Sequence, residues 1–301
     1  MMKSRALVFS LLAAGLSFAA AAAPAQPTAQ PPLKVGITLH PYYSWTKNVV
    51  AGTDVEVLPL LPGEVDAGDY QPRPEDIKKI VGLDAIVING VGHDDFINGM
   101  IKASGNTHLL IIRPNDGVPL LKAAHNRGVN SHTFISFSNA IQQTYLIARA
   151  LGTLRPQLAG KFQENAADYA KRLRIIKAKA AVRLADAKIT RVVTVHDGYG
   201  YLMQEFGIEI ADVVEPAHGL IPSAAELARM VDLIKREKIR VVFSEESFPA
   251  PLLKVLTDEG GAKVYLISHI ASGEYTAGKF EKEMQKNVDA MVKALVTDPE
   301  S

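Results

Sequence analysis

Eight histidines and no cysteine set the metal and nucleophile chemistry open to this 301-residue chain. Without thiols there is no disulfide, iron–sulfur cluster, thiolate zinc site or cysteine nucleophile, so any metal must be held by His, Asp or Glu. Four histidines stand where an α/β protein keeps its ligands. His196 ends the run VVTVH, His269 follows VYLIS, His40 follows VGITL, and His132 lies in NSHTF, just before a helix beginning near Ser138. In open parallel sheets, ligands bind outside the carboxyl ends of the strands, where loops converge. Other chemistries lack their signatures. There is no G-x-S-x-G and no H-E-x-x-H. Gly90-Val91-Gly92 follows a strand, but the third glycine and a P-loop lysine are missing, which disfavours a nucleotide site.

The elements that must position these side chains alternate short apolar runs with amphipathic stretches. Val35–Leu39, Val55–Pro59, Ala85–Asn89 and Leu109–Arg113 are strand candidates, followed later by Val192–His196, Ala211–Val214, Arg240–Ser244 and Val264–Ser268. Continuous apolar strands separated by helices imply parallel sheets covered on both faces. The expected fold is α/β, with two lobes, each built on a mostly parallel four-stranded sheet. Between them, Pro156 suits a first helical turn, and Phe162, Ala166, Tyr169, Leu173, Ile176 and Ala180 recur at steps of four and three. This spacing predicts one long backbone helix joining the lobes, with two helices broken near Gly160 as the alternative. The expected divisions are an amino-terminal lobe over 33–153, the linking helix over 154–188 and a carboxy-terminal lobe over 189–301.

Composition excludes several roles. At 48% hydrophobic and 22% charged residues the chain is a folding sequence, not a disordered tail. Thirty-three Lys plus Arg against 32 Asp plus Glu leave a net charge of +1, which supplies no field for a nucleic acid. Lys3 and Arg5 precede an apolar run from Ala6 to Ala23, and Ala23-Pro24-Ala25 offers an A-x-A cleavage site. Residues 1–25 are therefore expected to be a secretory signal peptide, and the Pro- and Ala-rich 26–32 a disordered lead-in. No Cys follows the apolar run for lipid attachment, so a protein free in a periplasm is expected.

Several segments together resemble the metal-binding receptors of zinc and manganese ABC importers, periplasmic solute-binding proteins with a rigid helix between two lobes. VHDGYGYLMQEFGIE at Val195–Glu209 is similar to that family's zinc-type segment, whose His is a ligand. VVFSEESFPAPLL at Val241–Leu253, DYQPRPEDIKKI at Asp69–Ile80 and NGVGHDDFI at Asn89–Ile97 resemble further family segments. The resemblance implies His132 as the second ligand, with Phe134 where the family has Trp, His196 as the third, and His269 where the fourth is usually Asp. The first ligand, a His, is replaced by Gly68 within Asp66-Ala67-Gly68-Asp69-Tyr70. Candidates to complete the sphere are His40, Asp66, Asp69 and His93. Asp197 and Glu245 are expected behind the ligands, and Asp197 is alternatively a helix cap. His108, His125 and His218 read as surface loop residues.

Three neutral imidazoles suit Zn2+, and His in place of Asp at 269 tilts selectivity away from Mn2+, which favours oxygen. The resemblance thus implies a monomeric receptor, not an enzyme, that passes zinc to a membrane permease with its ATPase. A receptor for a metal–chelator complex and a periplasmic zinc hydrolase are the alternatives.

Overall fold

A computed structural model describes residues 31–215 and 218–298; the expected signal peptide and most of the lead-in lie outside them. The amino-terminal lobe runs β1 (Lys34–Ile37), α1 (His40–Val49), β2 (Glu56–Pro59), α2 (Ile77–Val81), β3 (Ala85–Val87), α3 (Phe96–Ser104), β4 (Leu110–Ile112) and α4 (Phe137–Leu154). After a short 3-10 turn, α5 (Ala159–Leu184) leads into β5 (Arg191–Thr194), α6 (Gly200–Glu205), β6 (Glu209–Val213), α7 (Ala224–Glu237), β7 (Val241–Ser244), α8 (Ala250–Asp258), β8 (Lys263–Leu266) and α9 (Lys279–Val292). All pairings between these strands are parallel, and the two sheets share one order, β2-β1-β3-β4 and β6-β5-β7-β8, while an isolated antiparallel bridge between Lys122 and Val129 closes a hairpin over 121–130.

All eight expected strands form. Several end one or two residues earlier than their apolar runs, as at Val87 and Thr194, although Ile88 N and Val195 N still donate to Ile112 O and Phe243 O of the neighbouring strands at 3.0 and 2.8 Å before the chain leaves the sheet. Each sheet reverses its order beside its first strand, β1 or β5, the crossing point where a crevice opens at the carboxyl ends. Helix α7 shows how local chemistry sets the boundaries. Ser223 accepts from the Glu226 amide at 3.3 Å while Glu226 accepts from the Ser223 amide at 2.8 Å, and Leu227, Met230, Val231 and Ile234 form its buried stripe.

Helix α5 holds 26 residues and so spans about 39 Å at 1.5 Å per residue. Phe162, Ala166, Tyr169, Leu173 and Ala180 are buried as their spacing requires, Ile176 partly so, and the chain breaks just before Gly160, at the 3-10 turn Pro156–Leu158 that separates α4 from α5. Its amino-terminal part holds the α1 end, where Asn165 donates to the carbonyls of Val49 and Ala51 at 2.9 Å. Arg172 and Arg183 reach Glu281 and Asp289 on α9.

The lobes share more than this helix. In the second sheet, Val192, Phe243 and Tyr265 face a core continuous with that of the first lobe, while Val193, Val242 and Val264 face a separate core under α7 and α8. That is the two-residue alternation of a strand covered on both sides. Phe280 of α9 meets Trp45 of α1 edge-on at 5.2 Å, and Ser44 and Asn48 donate to the carbonyls of Thr276 and Ala277. A core common to both lobes resists wide opening, since swinging them apart would expose buried apolar surface. Among the described residues, no helix is long and apolar enough to cross a membrane.

Candidate metal centre

The crevice collects side chains from the carboxyl ends of both sheets. His196 stands two residues beyond β5, its carbonyl held by the Thr194 hydroxyl at 2.8 Å. His269 stands three beyond β8, on backbone clamped by buried Asn287 of α9, which receives from Ser268 N at 2.8 Å and donates to Ser268 O at 2.7 Å. Ile270 then adopts φ +61°, a left-handed conformation that is strained for a β-branched residue and turns the chain away.

In the amino-terminal lobe one asparagine organises two histidines. Asn89 accepts from His93 N at 3.3 Å and donates to Ser131 O at 3.0 Å, beside His132. Buried Asp94 fixes that turn by accepting from Thr38 Oγ1 at 2.6 Å and Asn89 N at 2.7 Å. Asn130 accepts from His132 N at 2.9 Å.

Five imidazoles converge. His132 Nε2 lies 2.9 Å from His196 Nε2, and His218 Nδ1 lies 3.3 Å from that same atom. The rings of His93 and His132 are 4.8 Å apart between centroids, and those of His196 and His269 are 4.9 Å apart. Two nitrogens bound tetrahedrally to one ion at about 2.0–2.1 Å would stand about 3.3–3.4 Å apart, so these separations suit a shared metal after a small opening.

Carboxylates back the rings. Glu215 accepts from His196 Nδ1 at 2.7 Å, leaving Nε2 to face inward. Glu245 sits 2.7 Å from His269 Nδ1 and is itself held by the Tyr199 hydroxyl at 2.5 Å. Carboxylates behind ligating imidazoles fix their tautomer and orientation. Asp66 bridges inward, 2.6 Å from His269 Nε2 and 3.2 Å from His93 Nε2.

These contacts sort the protonation states. Burial lowers His132 well below the ordinary imidazole range, aided by neighbouring His196 and His93. Burial, then the charge on His269, brings His196 down to about 4, and burial lowers His218 too. Burial also opposes a charge on His269, but Glu245 and Asp66 outweigh it and raise that ring to about 10. Asp66, despite its burial, is held far below the carboxylate range by hydrogen bonds to His269 and His93. Burial and the nearby Glu245 lift Glu215 to about 7. Without metal, three rings offer lone pairs at neutral pH and His269 carries a proton.

The sequence-derived residues land as follows. His132, His196, His269, His93 and Asp66 meet in the cluster, and Asp69 stands at its edge. His40 does not join them: its ring stacks on Tyr275 at 3.9 Å and its Nε2 bonds to Gly273 O at 2.8 Å, a lobe-to-lobe tie. Glu245 supports His269. Asp197 neither orients His196 nor caps a helix, because it receives from Ala124 N at 2.7 Å and from Asn130 Nδ2 at 3.0 Å, tying the 121–130 hairpin of one lobe to the other. His125, on that hairpin, lies 3.8 Å from Asp212 at the crevice mouth.

His218 is the miss. Read as a surface residue, it sits in the centre, and the reason is Gly68. A Cβ on Gly68 would fall 2.5 Å from His218 Nε2, so the space vacated by the absent side chain is filled from the opposite lobe. The signal available was its position in the loop after β6, the strand-end rule applied to the other histidines. Gly68→Ala is expected to displace this ring and lower zinc affinity roughly tenfold, the scale of lost ligand support, as read by competition with a chromophoric chelator.

Two parallel four-stranded sheets, a backbone helix and a crevice of buried imidazoles backed by carboxylates define a metal-site solute-binding protein. The family model described as "Zinc-uptake complex component A periplasmic" matches residues 35–294, and the chain belongs to this family. The structure is similar to the SBP FpvC from Pseudomonas aeruginosa in complex with Mn2+ (47% identity, 88% of this chain and 98% of that one, TM-score 0.82). It is similar also to the Ni2+ complex of that protein (46% identity, 90% and 99%, TM-score 0.83). In sequence it is 26% identical over 286 residues to the zinc-binding protein AdcA of Streptococcus pyogenes serotype M1, covering 88% of this chain. The chain spans about half, 54%, of the length of that relative.

Proposed function

We propose that this chain is a periplasmic receptor that captures a divalent transition metal, zinc foremost, between its lobes and delivers it to the permease and ATPase of an ABC importer. The observation that carries this reading is the meeting of His132 and His218 on His196 Nε2, at 2.9 and 3.3 Å. His132 and His196 are buried, so their convergence is not a surface accident. His269 and His93 extend the donor set, and imidazole-rich sites take Zn2+, Ni2+ and Cu2+ ahead of Mn2+. The Mn2+ and Ni2+ complexes of FpvC support a site tolerant of several divalent ions, with Mn2+ the weaker cargo here. Release into the periplasm after signal cleavage, without a lipid anchor, belongs to the same reading.

Capture is favoured over hydrolysis. The carboxylates at the cluster are each engaged with an imidazole, Glu215 with His196, Glu245 with His269 and Asp66 with His269 and His93, rather than standing free as a general base for hydrolysis. A chelator is not needed to complete the sphere, because His218 fills the position that Gly68 leaves empty.

The test is direct. Protein stripped of metal and offered equimolar Zn2+ should hold close to one ion by elemental analysis. At a hundredfold excess of free zinc over the Kd, binding to the folded state adds about 2.7 kcal/mol, or roughly 5–10 °C in melting temperature for a protein of this size. Absence of both bound metal and a thermal shift would refute the proposal.

A further inference from the structure

An ion bound for buried His132 and His196 needs a way in that does not part the lobes, because their shared core opposes a wide swing. The segment placed to provide one is the hairpin over 121–130. Ala124, Arg127 and Asn130 of this hairpin line a cavity together with His132, His196 and His218 of the metal centre. None of residues 121–130 belongs to either hydrophobic core, and 125–129 are exposed. Within the hairpin, Ala123 N donates to Gly128 O and Asn130 N to Leu121 O, both at 2.9 Å. Its tip carries two successive left-handed residues, His125 at φ +56° and Asn126 at φ +58°, a conformation that costs energy outside glycine. A segment with polar ties and little buried apolar surface opens at low free energy.

The ties to the other lobe are concentrated on two residues. Asp197 receives from Ala124 N at 2.7 Å through one carboxylate oxygen and from Asn130 Nδ2 at 3.0 Å through the other, while its carbonyl receives from Asn130 Nδ2 at 2.7 Å. The Tyr201 hydroxyl, on buried Tyr201 of α6, receives from Leu121 N at 3.0 Å and donates to Asn130 O at 2.8 Å, so it fastens both ends of the hairpin. Asn130 accepts in turn from His132 N at 2.9 Å, and Asp197 follows His196 in the chain, so the ties end beside the two central ligands.

We propose that the 121–130 hairpin is a latch over the metal centre, fastened by Asp197 and Tyr201, and that its release, with the lobes still packed, admits and discharges the ion. The inference rests on the capture reading above and adds the moving part to it. A latch that makes the same bonds with and without metal sets the rates of entry and exit together, as a lid does, and leaves the affinity where the imidazoles put it. Asp197 and Tyr201 are positioning residues that act on exchange through the hairpin.

Tyr201→Phe keeps the ring and removes only the hydroxyl. Stopped-flow mixing with Zn2+, and of loaded protein with excess chelator, should show association and dissociation each faster by roughly tenfold for the two hydrogen bonds lost, with the Kd within about twofold of wild type. In metal-free protein the Ala124 amide, whose acceptor Asp197 is untouched, should exchange its hydrogen faster by a similar factor, because the hairpin opens as a unit. Wild-type rates overturn the proposal. So does faster dissociation with unchanged association, which marks a displaced ligand, and so does an Ala124 amide that keeps its wild-type protection. If Tyr201→Phe does not fold, Asp197→Asn decides by the same readings, since its side chain can accept only one of the two bonds that the carboxylate accepts. Wild-type protein that binds no zinc refutes the capture reading itself, whereas amide exchange in metal-free protein tests the latch independently of metal.

Discussion

His196→Ala should lower zinc affinity by about three orders of magnitude, roughly 4 kcal/mol, while the protein remains folded. The size follows from position. His196 Nε2 is the atom that His132 and His218 both approach, and His196 also groups with Glu245 and His269, so removing it separates the donors that remain. Ala leaves a small void at a buried site and frees Glu215 from its partner, so the melting temperature of metal-free protein must be measured beside the affinity. Glu215→Gln keeps the ring and removes only the carboxylate behind Nδ1, for which a smaller loss of about 10- to 100-fold is expected. His125→Ala, on the hairpin at the mouth, should leave zinc affinity unaltered. Titration against a competing chelator reads all three variants, and equal losses for His196→Ala and His125→Ala would refute the assignment of the centre.

The strands and the long helix were legible because their signals are local. Four-residue apolar runs such as VVFS need no distant partner to be recognised, and the stripe from Phe162 to Ala180 fixes both the helix and its buried face. Placement at strand ends and before a helix brought His40, His132, His196 and His269 forward without coordinates, and the family resemblance narrowed them to His132, His196 and His269. What stayed hidden depends on contacts between distant segments. Gly68 alone reads as a lost ligand; only its proximity to His218, 150 positions later, shows the loss to be filled. The partner of His196 proved to be Glu215, not its neighbour Asp197, because the chain after β5 turns Asp197 toward the 121–130 hairpin. His40 ends a strand as the ligands do, yet the turn into α1 directs it to Tyr275. The shared core between the lobes was equally illegible, since each apolar residue announces burial but not which lobe buries it.

Zinc binding at pH 7 should release about one proton per ion, and affinity should rise about tenfold per pH unit between roughly pH 5 and 9. An ordinary set of three histidines, each titrating near 6.5, would instead give a steep loss confined to about pH 5–7. The structure separates the rings. His132, His196 and His218 are lowered, chiefly by burial, and present free lone pairs at pH 7. His269, raised to about 10 by Glu245 and Asp66 against the effect of its burial, must lose its proton before it can bind metal. One proton therefore competes with zinc across the neutral range, and a second joins near pH 4, where His196 titrates. Glu215, raised to about 7, adds a fraction of a proton at neutrality if bound metal favours its charged form. The same shift acts with opposite sign on the metal-free fold. A ring whose folded value exceeds its unfolded value of about 6.5 contributes stability fully below that pH, and loses it as pH rises through about 10. Metal-free protein should thus lose stability between pH 6.5 and 10 while its zinc affinity climbs, so that the difference in melting temperature between loaded and stripped protein widens with pH. Calorimetry in buffers of different ionisation enthalpy counts the protons, and a count near zero, or a slope of two to three confined to pH 5–7, would refute the exchange of one proton for zinc at His269.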